Sequence, residues 1–154
     1  IWDISKIKHI KELFADNPEV DMILHDCTFC DAIGHESPGS NFQERNTKHG
    51  VWKNWIKSSY NGCCMSFRRS FIKKALPLKH PDVLYDQFFG MIAERENKSL
   101  FIKDKLISHR IHENNVTKKQ SIYGMIYYRY RLAKRFIEYL MKDKRTKKEY
   151  YAGH

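Results

Sequence analysis

Val20-Asp21-Met22-Ile23-Leu24-His25-Asp26 decides the fold class. Four of its first five residues are apolar, and Asn17-Pro18 closes whatever precedes it, so Val20 to Leu24 is predicted to be a short buried strand running into a polar pair. Upstream, Ile7, Ile10, Leu13 and Phe14 fall on one face of a helix over residues 5 to 14, with Ser5 available as its cap. A helix delivering the chain into a buried strand is the repeating unit of an α/β domain.

The pattern continues outward. Gly34 to Gly50 is rich in turn formers and predicts a long loop. Val51 to Ile56, with Trp52 and Trp55 three apart, predicts a short helix packed on the body. Asn61-Gly62-Cys63-Cys64-Met65-Ser66-Phe67 predicts a turn leading into a strand, followed by a helical turn or two from Arg68 to Ala75 that Leu76-Pro77 ends. Asp86 to Glu96 predicts a helix with Phe88, Phe89, Ile92 and Ala93 on one side. Leu100 to Ile102 and Leu106 to Ile111 predict two strands joined by a Lys103-Asp104-Lys105 turn. From Gln120 to Met141 apolar residues recur at helical spacing, giving one long amphipathic helix or two in succession.

Charge divides the chain at the same place. Its 154 residues carry +10, and from Lys118 onward eleven Lys or Arg face three acids, so +8 of the total lies in the last stretch. Residues 1–117 are thus a nearly neutral body and 118–154 a basic helical extension, drawn to anionic surfaces. The apolar content of 42% and aromatic content of 14% exclude a disordered chain. Lys or Arg interrupts every apolar run before the roughly 20 residues a membrane span needs. No export signal is visible, so a cytoplasmic, thiol-reduced protein is expected, and the start at Ile1 without Met reads as a piece of a longer one.

Three clusters carry chemistry beyond packing. Asp86, between Tyr85 and Gln87 at a helix start, either caps free N–H groups or acts as a general base. Arg110 and His112 alternate on a predicted strand and so share a face, suited to phosphate and metal respectively or simply to solvent. Gly62 permits close backbone approach to a ligand. Cys27 and Cys30 form a Cys-x-x-Cys, but the adjacent Cys63 and Cys64 make a poor second pair for zinc, and no helix follows to make a redox motif.

In chain order these segments resemble the second half of the GT-A fold of bacterial family 2 glycosyltransferases, especially rhamnosyltransferase-like enzymes of cell-surface polysaccharide synthesis. Ile1-Trp2 with Lys6-Ile7 resembles the segment after that family's acidic metal motif, which is expected upstream of Ile1. Met22 to Asp26 resembles the next strand and its terminal acid, and Asn61 to Arg69 with Leu76-Pro77 the strand and helix beside the donor sugar. Tyr85-Asp86-Gln87-Phe88 resembles the base motif, and Leu106 to Asn115 the closing Arg-x-His-x-x-Asn motif.

The resemblance implies a partial GT-A-like mixed sheet flanked by helices, and transfer of a sugar from a nucleotide-sugar to a saccharide or lipid-linked acceptor hydroxyl, with inversion and a divalent cation, Mg²⁺ or Mn²⁺. It makes Asp86 the catalytic base and His112 a metal ligand. Asp26, Gly62, Cys63, Tyr85, Gln87, Arg110 and Asn115 become substrate-binding residues. It further implies that the chain alone does not turn over and that a missing half leaves a sheet edge open to self-association. The basic extension, outside the strongest part of the resemblance, either lies at the inner face of the cell membrane near a lipid-linked acceptor or packs its apolar face on the domain and solvates its charges. The competing reading is a non-catalytic interaction or nucleic-acid-binding module using that basic helix.

Overall fold

The computed structural model describes residues 1–76, 83–111 and 121–152, with side chains described as far as residue 143. It divides into two compact units, Ile1–Lys119 and Gln120–His154. The elements are α1 (Lys6–Asp16), β1 (Met22–Cys30), β2 (Glu36–Ser37), α2 (Asn41–Arg45), α3 (Val51–Ile56), a 3-10 turn (Gly62–Cys64), β3 (Met65–Phe67), α4 (Arg69–Ala75), α5 (Tyr85–Arg95), β4 (Ser99–Arg110) and α6 (Ile122–Ala152). The first unit is α/β, with a four-stranded mixed sheet and helices.

β1 is the centre of that sheet. Along one edge it pairs in parallel with β4, from Met22↔Ser99 to Cys30↔Arg110. Its other edge is shared, with β3 antiparallel against Met22 to Leu24 and β2 antiparallel against Phe29 and Cys30. A strand with neighbours on both edges and helices over both faces is buried throughout, and eight of the nine residues of β1 are buried. Strand alternation sends Ile23, His25, Cys27 and Phe29 to one face and Met22, Leu24, Asp26, Thr28 and Cys30 to the other.

α1 covers the first of these faces, where Ile10 joins Val20, Ile23 and Leu106, with Leu13, Phe14, Leu100 and Ile102 around them. Arg68 fastens its C-terminal end, donating to the carbonyls of Phe14, Asn17 and Val20 and lying 4.9 Å from the Phe14 ring. The second face carries an aromatic cluster. Phe101, paired with Leu24, meets Phe42, His49 and Tyr60, while Phe67 stacks on Phe71 at 5.7 Å and meets Phe89 edge-on. At Gly90 the ring of Tyr60 stands 2.5 Å from where a Cβ would lie, so only glycine lets α5 come this close.

The expected order of helices and strands is present with several differences, and the loop expected from Gly34 to Gly50 holds β2 and α2. β1 runs six residues past Leu24, where His25 Nδ1 meets the Asp26 carbonyl, Asp26 Oδ1 accepts from the amides of Cys27 and Phe42, and Thr28 Oγ1 meets Glu36 and Ser108. The two strands expected at Leu100 and Leu106 are one, β4, and Lys103-Asp104-Lys105 is not a turn; register shifts on either side of Asp26 absorb the extra residues in place. Trp52 is exposed rather than packed on the body, and α3 buries Asn54 instead, whose amide holds the backbone of Lys48, Gly50 and Ser59. Ser5 also makes no cap bond to α1; its hydroxyl goes to Asp3.

Residues 1–3 run beside the outer edge of β4, with Trp2 bridged to Ile107 and the Ile1 amino group donating to the Ser108 carbonyl. That edge is covered between Leu106 and Ser108. In the second unit α6 is a single helix of 31 residues, about 46 Å long. Its exposed side chains include Ile122, Tyr123, Ile126, Tyr127, Tyr130, Ile137 and Met141. No helix among the described residues is long and apolar enough to cross a membrane.

Candidate functional site

Asp86 is the second residue of α5, where free N–H groups and the helix dipole favour an anion. Its carboxylate accepts the Gln87 amide at 2.7 Å, and the Gly62 backbone, 24 positions earlier, and the Arg45 guanidinium act on its ionisation from nearby. Burial nevertheless wins and pushes the carboxyl above its ordinary value of 3.8, against the pull of the amides and Arg45. An ionised carboxylate has about four lone-pair positions. The amide bond leaves capacity for an incoming proton.

Tyr85 closes the junction from outside. It is 50% exposed, and its hydroxyl lies 2.1 Å from where a Cβ on Gly62 would stand. Gly62 is needed here for space and not for an unusual φ, since it is absent from the positive-φ residues of the described chain. The next residue, Cys63, is exposed. Its sulfur lies 3.8 Å from Cys64 Sγ and 3.8 Å from His109 Nδ1. Lys6, the buried first residue of α1, donates to the Cys63 carbonyl at 3.1 Å.

Asp26 and Gln87 face inward. Asp26 is buried, and its Oδ1 accepts from the amides of Cys27 and Phe42, so it anchors the first turn of α2. That helix carries Arg45, whose guanidinium also donates to Asn41 Oδ1 and the Ser58 carbonyl. Asp26 thus acts on Asp86 at one remove, by holding the helix that holds Arg45. Gln87 is buried and gives its amide hydrogens to the carbonyls of Asn54 and Trp55, tying α5 to α3.

The closing motif divides. Arg110 is the exposed last residue of β4, and alternation turns it away from the face on which His109 meets Phe29 and Cys63. His112 and Asn115 lie outside the described residues, as does Pro77. Of the residues singled out in the sequence, Gly62, Cys63, Tyr85 and Asp86 come together. Arg45, His109 and Lys6 join them without having been singled out. His109 had a readable signal in its place on a strand, whereas Arg45 sits in a five-residue helix inside an apparent loop.

Cys27 and Cys30 are three apart on β1 and so point to opposite faces, which separates the two sulfurs of the Cys-x-x-Cys. Among the described residues no group of three or more His, Cys, Asp or Glu could hold a metal ion. No family model, no curated protein and no solved structure matches the chain.

Proposed function

We propose that this chain is the acceptor-side half of a bacterial family 2 glycosyltransferase with a GT-A-like sheet, and that Asp86 is its catalytic base. The observation that carries the proposal is the close approach of the start of α5 to Gly62, with the Tyr85 hydroxyl 2.1 Å from where a Gly62 Cβ would stand, which joins the segment resembling the base motif to the one resembling the donor-sugar strand. Burial that raises the carboxyl also makes it a stronger proton acceptor. As the acceptor oxygen bonds to the anomeric carbon, its proton passes to Asp86 and the bond from that carbon to the nucleotide diphosphate breaks. Tyr85, half-exposed beside the carboxylate, is placed to bind a sugar face, and Gly62 keeps room for both.

The basic extension supports a place at an anionic membrane surface, near a lipid-linked acceptor. Exposed Tyr and Ile side chains on α6 and a net +8 beyond Lys118 are the groups that anchor an interfacial helix.

The test is transfer from a panel of nucleotide-sugars by the full-length gene product. Asp86→Asn is expected to lower kcat by roughly 10²- to 10⁴-fold with KM little changed. An unaltered kcat in that variant rules Asp86 out as the base. The isolated 154-residue chain is expected to give no turnover.

A further inference from the structure

Three of the four cysteines meet beside the candidate site, although they are far apart in sequence. Cys27 comes from β1, while Cys63 and Cys64 come from the 3-10 turn. The Cys63 and Cys64 sulfurs lie 3.8 Å apart, either able to donate to the other, and Cys27 stands close enough to Cys64 for the two thiols to shift each other's ionisation. The three differ sharply in surroundings. Cys27 is wholly buried, whereas Cys63 is exposed. Negative charge therefore settles on Cys63, where water can also reach it.

β4 and α1 both support that choice. β4 brings the His109 imidazole to 3.8 Å, and α1 brings the Lys6 ammonium to the residue's own carbonyl. α5 contributes the Tyr85 hydroxyl, whose ionisation is pushed up by burial first and then by Asp86 and Cys63, so it stays neutral. The combined effect draws the Cys63 thiol down from 9.0 to about 6, with the Cys64 bond first, then His109 and Lys6, against the opposing effect of burial. Cys64 moves the other way and remains a thiol.

We propose that Cys63 is a modification site, the one thiol of this chain that exchanges with small disulfides while the protein stays folded. The Cys63 thiolate attacks one sulfur of the disulfide and a new S–S bond forms. The old S–S bond breaks, and its electron pair leaves with the departing thiolate. The proton lost on ionisation goes to solvent. Cys63 is oxidised and one half of the disulfide is reduced, so no further oxidant is needed. A thiol with a pKa just below ambient pH combines a high thiolate fraction with retained nucleophilicity. The adduct stands next to Gly62 and Tyr85, on the approach to Asp86. The exchange is independent of whether Asp86 acts as a base.

The probe is 5,5′-dithiobis(2-nitrobenzoic acid) on the folded chain, with release of thionitrobenzoate followed by absorbance. One equivalent is expected in a fast phase at least about tenfold faster than the rest, with a pH midpoint near 6. Peptide mass mapping of the briefly labelled wild type should place the adduct on Cys63, and Cys63→Ser should lose the fast phase while keeping its circular dichroism spectrum. A fast phase that survives in Cys63→Ser, a label mapped to another cysteine, or a midpoint at the ordinary thiol value of 9.0 would each overturn the proposal.

Discussion

Replacing Gly62 by alanine tests the junction on which the site depends. The added methyl would stand 2.1 Å from Tyr85 Oη and 2.9 Å from its Cζ, where ordinary contact begins at 3.4 Å. The Gly62 backbone accepts an L side chain, so this collision is the whole native-state penalty. Tyr85 can relieve it because it is 50% exposed and lies in the first turn of α5. Swinging out forfeits its edge contact with Phe89, centroids 6.2 Å apart and worth about 0.5–1.5 kcal/mol. It also forfeits roughly 100 Å² of buried ring, at most about 2.5 kcal/mol. Against this, alanine restricts the unfolded chain and returns about 0.4–1 kcal/mol. A net loss of about 1–2 kcal/mol is expected. In a Tyr85→Ala background the collision is gone, and the same substitution should stabilise by about 0.4–1 kcal/mol. Urea unfolding of the four proteins followed by circular dichroism gives the coupling directly, with about 2 kcal/mol expected between the two sites. Equal costs of Gly62→Ala in both backgrounds would refute the contact between Tyr85 and Gly62.

Asp86 makes a prediction about pH. Its carboxyl is raised in the folded state, so folding takes up protons there, and wild-type stability is lost as pH rises through the folded value and is fully present below 3.8. Relative to Asp86→Asn, whose side chain does not titrate, the wild type should lose ground with rising pH and show a constant difference below 3.8. Urea melts across the acid range read this slope, and the opposite slope sinks the assignment of burial as the dominant cause. For the basic extension, co-sedimentation with vesicles containing phosphatidylglycerol should exceed that with phosphatidylcholine alone, weaken as salt is added, and fall on removal of residues 118–154, each surface cation contributing about 1 kcal/mol. Binding unchanged by that deletion removes the membrane role.

Much of the fold was legible where apolar spacing set it, as in α1, α5 and α6. It was obscured where polar residues are buried in a strand. His25, Asp26 and Thr28 hide the second half of β1, because nothing in the local pattern says that Asp26 will satisfy two amides and carry no solvent. Lys103-Asp104-Lys105 mimics a turn because three exposed polar residues in a row look the same in a bulged strand. The site was legible residue by residue and not as a set. Asp86 and Gly62 could each be picked out, but their approach depends on how α5 docks, and that is fixed by distant contacts such as Gly90 against Tyr60 and Gln87 on α3.

The irregularity in β4 has a consequence that can be put as a matter of counting. Between Asp26↔Lys105 and Thr28↔Ser108 the outer strand takes three steps while β1 takes two. One surplus step reverses odd and even, so every residue after it changes sides relative to those before. Had the ladder continued evenly from Lys105, Ser108 would stand opposite Phe29 and His109 opposite Cys30, on the far side of the sheet from Cys63. An imidazole rather than a hydroxyl meets the thiol cluster because of that single uneven step, which makes the spacing between Lys105 and Ser108 as much a part of the chemistry as the identity of His109.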